Sequence, residues 1–133
     1  TGTGVLAIAL AKRTHLRVTA SDIDPIATRT TIQNARDNGV GRLIDAVTAP
    51  GLNHQRIARG APYDLIVANI LAAPLVALAP AIGRAAGHGA TIILSGLLVT
   101  QAARIVNAYA SQRMILRQKL ERGEWATLIL EKR

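Results

Sequence analysis

Apolar positions along the chain follow two patterns: short continuous runs, and runs that repeat with a helical period. The helical pattern predicts helices over 5–12, 25–38, 71–86 and 100–111. The continuous runs predict strands over 16–20, 43–47, 63–68, 90–95, 114–120 and 125–130, and 49–62 is predicted to be a loop or a short irregular helix. This alternation is typical of parallel strands joined by crossover helices.

Local signals refine these elements. Asp24 is predicted to cap the second helix, and Gly39 to end it in a left-handed conformation. The apolar run at 63–68 predicts a strand buried on both faces, and Gly87-His88-Gly89 is expected to end the helix that follows. A turn at 121–124 joins the last two strands. The predicted fold class is α/β, a Rossmann-like, doubly wound, mostly parallel sheet with an antiparallel C-terminal strand.

The position of the first loop suggests that one strand lies outside this sequence. A glycine-rich loop of this kind follows the first, central strand of a doubly wound sheet, and here the sequence begins at the loop. We therefore expect residues 1–133 to form one α/β domain that is either truncated at its N-terminus or completed by something else. The neighbours of a missing strand keep unpaired backbone groups, so we expect the isolated chain to be poorly stable and inactive.

Composition narrows the classes of protein. Half of the 133 residues are apolar, which suits one globular domain, and no apolar run approaches the roughly 20 residues of a membrane span. No secretory leader opens the chain and it contains no cysteine, so we expect a cytoplasmic protein. The net charge of +8 is spread along the chain with few aromatic residues to stack on bases. We therefore predict neither a membrane partner nor direct nucleic-acid binding.

The turn Thr1-Gly2-Thr3-Gly4 is a candidate cofactor-binding loop. Glycine adopts unusual dihedral angles and lets a ligand approach the backbone, and the N-terminus of the following helix favours negative charge. The alternative is an ordinary tight turn between a strand and a helix.

Asp22 is the second candidate, because it follows the strand at 16–20. An acidic residue there can accept hydrogen bonds from both ribose hydroxyls of a nucleoside cofactor, and the adjacent Ile23 is included in the predicted site. The alternative is that Asp22 and Asp24 both only cap the helix. Since Gly2 to Ala7 also fits the dinucleotide pattern G-x-G-x-x-A, these features alone do not separate a nicotinamide cofactor from S-adenosylmethionine.

Asn69 is the third candidate and favours methyl transfer. It follows the buried strand at 63–68, and open α/β sheets bind ligands at the carboxyl ends of their strands. Its side-chain amide can hold the lone pair of a neutral amine toward a methyl group, unless it only ties down the following turn. Methyl transfer from a sulfonium needs no metal and no covalent nucleophile. The three histidines are scattered without metal-ligand spacing, so no metal site is predicted.

With these residues identified, the chain resembles the class I methyltransferases, and most closely the ribosomal protein L11 methyltransferase (PrmA) family. The resemblance covers essentially all 133 residues and includes the loop at 1–9 and the segment at 21–25. Its most specific stretches are 64–72, 94–98 and 123–126, which occur in the family's order. We take these stretches to be the catalytic part of a family member.

The resemblance implies S-adenosylmethionine as cofactor and, as substrate, the lysine side-chain and N-terminal amines of a large-subunit ribosomal protein. It implies that Asp22 binds the cofactor ribose and that Asn69 lies at both the cofactor and the acceptor site. The alternatives are a nucleic-acid methyltransferase of the same fold, a nicotinamide-dependent oxidoreductase and a non-catalytic binding module. The first is disfavoured because Ile70 and Leu71, not an aromatic residue, follow Asn69.

Overall fold

A computed structural model describes all 133 residues. They form two compact units, Thr1–Gly60 and Ala61–Arg133. The first unit contains α1 (Val5–Thr14), β1 (Val18–Asp22), α2 (Pro25–Asp37), β2 (Ile44–Thr48) and α3 (Gln55–Gly60). The second contains β3 (Tyr63–Asn69), α4 (Ala72–Ala85), β4 (Ala86–Leu98), a 3₁₀ turn (Val99–Gln101), α5 (Ala102–Ala110), β5 (Met114–Arg122) and β6 (Trp125–Lys132). None of the helices has both the length and the apolar character that crossing a bilayer requires.

In the first unit, β1 and β2 form a parallel pair in which Val18 lies opposite Ile44 and Asp22 opposite Thr48. Ile8 and Ala11 of α1 and Ala35 of α2 are buried in one apolar cluster. Two of these three side chains are alanines, and small side chains allow close approach of the helix backbones. The carboxyl end of β1 is thereby held beside the glycine-rich turn that precedes α1.

Helix α2 has the ends that the sequence predicts. The Asp24 side chain accepts a hydrogen bond from the N–H of Ile26 at 2.9 Å, which confirms Asp24 as the N-cap. Gly39 follows the helix with φ of 75°, the left-handed conformation that glycine adopts without strain. Thr28 and Thr31 are the two buried polar residues of the chain and both lie on α2. The helix therefore presents a polar, buried face as well as an apolar one.

The second unit is built on a four-stranded sheet in the order β3-β4-β6-β5. Strands β3 and β4 are parallel, whereas β6 is antiparallel to both β4 and β5, so the predicted antiparallel ending is confirmed. Tyr109 of α5 is fully buried, and its hydroxyl donates to the carbonyl of Leu75 at 2.8 Å. Burial raises the pKa of Tyr109 to about 12, because the ionised phenolate would lose its hydration.

The structure corrects two details of the sequence prediction and decides a third that was left open. Strand β3 is not buried on both faces: Leu65 is 39% exposed, because β3 is an edge strand that pairs only with β4. Gly87-His88-Gly89 does not form a separate helix end, since β4 already begins at Ala86, where it pairs with Tyr63. The segment 49–62, left open between loop and helix, contains the short helix α3.

Candidate functional site

The glycine-rich turn in the first unit is closed by its own backbone. The N–H of Gly4 donates to the carbonyl of Thr1 at 2.9 Å, and Gly2 and Gly4 have φ of 57° and 85°. Both values lie in the left-handed region, where a side chain would introduce strain. The two glycines are therefore required by the turn itself, and α1 begins immediately after it at Val5.

Asp22 contacts this turn directly. Its Oδ2 atom accepts from the backbone nitrogen of Thr1 at 2.7 Å and from the N–H of Gly2 at 2.9 Å, while Oδ1 accepts from the N–H of Asp24 at 3.0 Å. The Asp22 side chain is ionised near neutral pH, as an aspartate ordinarily is. A carboxylate has about four lone-pair positions, so it retains acceptor capacity for ligand hydroxyls.

Ile23 lies next to this carboxylate and is 75% exposed. When a flat, weakly polar group covers a large apolar side chain, apolar surface is removed from water and binding is favoured. The first unit thus brings together six of the predicted cofactor-binding residues, which are Thr1, Gly2, Thr3, Gly4, Asp22 and Ile23.

Asn69, the remaining predicted site residue, lies in the second unit at the carboxyl end of β3, opposite Ser95 of β4. It is exposed, and its side-chain amide makes no hydrogen bond within the chain. No hydrogen bond therefore supports the alternative that Asn69 only stabilises the following turn. Its amide donors and its acceptor are available to a ligand.

Gly96 of β4 leaves room for Asn69. It has φ of 85°, and a Cβ atom there would lie 2.7 Å from the backbone oxygen of Ile70 and 2.9 Å from Oδ1 of Asn69. Only glycine combines this backbone conformation with so close an approach. The Asn69 side chain consequently lies directly over the backbone of the neighbouring strand.

An open cleft of about 800 Å³ surrounds Asn69 in the second unit. Ser95 and Gly96 form one side of the cleft, and the strand ends that flank the turn between β5 and β6 form the other. The lining residues of these strand ends are Leu120, Glu121, Arg122, Trp125, Ala126 and Thr127. Trp125 is 55% exposed although it is the largest apolar side chain in the protein.

The site predicted from the sequence did not include Ser95, Gly96 or Trp125. Their signal was nevertheless present, because the stretches 94–98 and 123–126 are two of the three most specific parts of the family resemblance. The structure brings both stretches to the cleft that contains Asn69. No group of three or more His, Asp or Glu side chains is arranged to hold a metal ion.

Comparison with known proteins identifies the family of this chain. The family model described as ribosomal protein L11 methyltransferase (PrmA) matches residues 1–133. A ribosomal protein L11 methyltransferase of Mesorhizobium japonicum is 48% identical over 134 aligned residues, which cover 98% of this chain and 45% of that protein. One from Chelativorans sp. is 43% identical, with 99% and 46% coverage. The chain therefore spans about half the length of the curated relatives it matches.

Solved structures agree in fold. The crystal structure of a ribosomal protein L11 methylase from Lactobacillus delbrueckii subsp. bulgaricus superposes with a TM-score of 0.90 at 31% identity, covering 100% of this chain and 67% of that one. An RNA methyltransferase from Salinibacter ruber, solved with S-adenosyl-L-homocysteine, shares the fold alone, with a TM-score of 0.75 at 14% identity, covering 98% of this chain and 76% of that one. Given the match along its whole length, the chain belongs to the ribosomal protein L11 methyltransferase (PrmA) family.

Proposed function

We propose that the protein transfers methyl groups from S-adenosylmethionine to lysine side-chain and N-terminal amines of a large-subunit ribosomal protein, and that residues 1–133 form its cofactor-binding, catalytic part. The observation that carries the proposal is the position of the Asn69 side-chain amide. This unpartnered amide lies at the carboxyl end of β3, in the cleft of a chain that matches the L11 methyltransferase family throughout. Open α/β sheets bind their ligands at this end of the strands.

The residues of the first unit fit a nucleoside cofactor. Asp22 is ionised and retains acceptor capacity for the two ribose hydroxyls, and the exposed Ile23 beside it suits an apolar contact with the base. The glycine turn allows close approach to its backbone, since a Cβ at Gly2 would meet nothing within 4 Å. When bound, S-adenosylmethionine supplies an electrophilic methyl group on a sulfonium centre.

Asn69 orients the acceptor in this proposal. Its Oδ1 accepts a hydrogen bond from an N–H of the neutral amine, which turns the nitrogen lone pair toward the carbon that it attacks. Because the displacement is in line, alignment and desolvation of the nitrogen account for most of the rate enhancement. Asn69 therefore acts on the acceptor and contributes little to cofactor affinity.

The turn between β5 and β6 supplies the apolar part of the acceptor site. A lysine side chain has a four-carbon stem, and the exposed faces of Trp125 and Leu120 offer a surface on which that stem can pack. The indole ring also attracts the ammonium form of the acceptor before it loses its proton. Covering these two side chains would exclude water from the nitrogen.

The test uses the full-length protein encoded by the gene, methyl-labelled S-adenosylmethionine, and the purified large-subunit protein and ribosomal RNA as separate acceptors. We expect label in lysine and N-terminal amines of the protein, located by mass spectrometry of its peptides. Label in the RNA alone would support the alternative nucleic-acid methyltransferase. Cofactor binding without label in either acceptor would contradict the proposed substrate.

A further inference from the structure

We propose that Asn34 of α2 is a positioning residue that holds the Thr1–Gly4 turn in the shape that binds the cofactor. The proposal rests on the proposed function, because it concerns the same cofactor loop. The family resemblance extends over Asn34 but implies no role for it, and the predicted site does not include it.

The first observation is a contact between residues far apart in the sequence. The side-chain Nδ2 of Asn34 donates to the carbonyl of Thr3 at 2.9 Å, across 31 positions. The peptide bond between Thr3 and Gly4 is trans and planar, so its N–H points opposite to its carbonyl. That N–H is the one that donates to Thr1 and closes the turn. Asn34 therefore stabilises the orientation of the Thr3–Gly4 peptide, whose N–H closes the turn.

The second observation is the tight fit beneath the turn. A Cβ atom at Gly4 would lie 2.7 Å from Cγ2 of Thr31, which is fully buried on the same face of α2 as Asn34. The Thr31 hydroxyl bonds mainly to Ala27 within the helix at 2.9 Å and lies 3.3 Å from the carbonyl of Gly2. Thr31 thus limits how far the turn can move toward the helix, and Asn34 fixes its orientation.

These contacts direct the remaining donor of the turn. The carbonyl of Gly2 faces α2, so the N–H of Thr3 in the same trans peptide points away from the helix. That N–H has no acceptor within the chain, whereas the N–H of Gly2 donates to Asp22. The turn therefore presents one oriented donor next to the carboxylate that is proposed to bind the ribose. This N–H is expected to donate to an acceptor oxygen of the cofactor.

The energetic consequence concerns affinity. A turn that is ordered before the cofactor arrives loses little conformational entropy on binding, whereas an unbraced glycine turn loses more. Removing the Asn34 hydrogen bond should therefore weaken cofactor binding without changing the rate of the bound complex. We expect about a tenfold increase in the Kd, the effect of losing one such bond.

The experiment measures S-adenosyl-L-homocysteine binding by calorimetry in the full-length protein. Asn34→Leu removes the amide, and Asn34→Asp keeps its size while removing the donor. Gln33→Leu is the matched control, because Gln33 makes a 2.9 Å side-chain bond to Asp37 from the same helix without contacting the turn. We expect both Asn34 variants to bind about tenfold more weakly than the Gln33 control, with kcat at saturating cofactor within twofold of the unmodified protein.

Thermal melting of the ligand-free variants separates positioning from folding. We expect Asn34→Asp and Gln33→Leu to melt within a few degrees of each other. Unchanged Kd values in both Asn34 variants, or an equal loss in Gln33→Leu, would overturn the positioning role while leaving the proposed function intact. If the unmodified protein itself binds no S-adenosyl-L-homocysteine, both proposals fail.

Discussion

The carboxylate of Asp22 accepts a hydrogen bond from the backbone N–H of Gly2 at 2.9 Å. This contact joins the carboxyl end of β1 to the turn that precedes α1, across 20 positions of sequence. The same carboxylate accepts from the N–H of Asp24, so it orders both segments of the proposed cofactor site. Asp22 is thus both a structural acceptor and the proposed ribose ligand.

Replacing Asp22 with alanine should weaken S-adenosylmethionine binding by one to two orders of magnitude, about 1.5 to 3 kcal/mol, because charge-assisted hydrogen bonds are lost. Calorimetry on the full-length protein measures this loss. Asp24→Ala is the control, since removal of an N-cap costs about 1 kcal/mol of stability and should leave affinity within twofold. Equal affinities for the Asp22 variant and the unmodified protein would remove Asp22 from the site.

Replacing Asn69 with alanine should reduce kcat by at least a hundredfold while changing the Kd for S-adenosylmethionine less than threefold. The reason is that this exposed amide is proposed to orient the acceptor nitrogen and makes no hydrogen bond within the chain, and misorientation of a nucleophile is costly. Steady-state kinetics and calorimetry provide the two readouts. Parallel losses in rate and affinity would indicate a structural role instead.

Replacing Gly96 with alanine should displace Asn69 and reduce activity more than tenfold. The new Cβ would meet the Ile70 carbonyl at 2.7 Å in addition to the strain of a positive φ, so we also expect a loss of about 1–3 kcal/mol in unfolding free energy. Gly89→Ala is a matched control, because Gly89 has φ of 78° but nothing within 4 Å of its added Cβ. If the two variants lose the same activity, the approach to Asn69 has no catalytic importance.

Replacing Trp125 with alanine should raise the KM for the ribosomal protein about tenfold or more, because a large aromatic contact surface is lost. The Kd for S-adenosylmethionine should stay the same, and Trp125→Phe should recover most of the acceptor affinity. Leu16→Ala removes an apolar side chain of similar exposure, 67%, outside the cleft and should change neither value. An unaltered KM in Trp125→Ala would exclude the indole from acceptor binding.

Stability at alkaline pH should depend on Tyr109. Its pKa is raised to about 12 in the folded protein and is about 10 when unfolded, so above pH 10 the unfolded state loses the proton first. The contribution of Tyr109 to the free energy of unfolding is fully present below pH 10 and is lost as pH rises through about 12. Urea unfolding between pH 9 and 12 should show a smaller decline for Tyr109→Phe, although the lost hydrogen bond costs this variant about 1 kcal/mol at pH 8. Parallel curves for the two proteins would contradict this assignment.

Sequence pattern predicted the elements because most of them are specified locally. The capping of α2 by Asp24 and its ending at Gly39 follow from residues within or next to the helix. The positions of Asp22 and Asn69 at strand ends were predicted in the same way, from the boundary between an apolar run and a polar residue. Local patterns of this kind are sufficient to place residues on elements.

Contacts between distant segments were not predictable from the pattern. The exposure of Leu65 depends on β3 being an edge strand, and an apolar run looks the same in edge and central strands. Asn34 lies 31 positions from Thr3, and nothing in the helical periodicity distinguishes it from its exposed neighbour Gln33. Trp125 reaches the cleft only because β6 pairs with β4, which is a property of the sheet rather than of the local sequence.

The reversal of direction in β6 has a consequence for how relatives can diverge. Arg122 pairs with Trp125, so only Gly123 and Glu124 separate the two strands, and this tight bend projects beside the carboxyl ends of β3 and β4. Residues can be inserted at its tip while the ladder behind it keeps its alignment. Selectivity for one proposed acceptor amine over another can therefore evolve at this bend, independently of the segments that are proposed to bind the nucleoside.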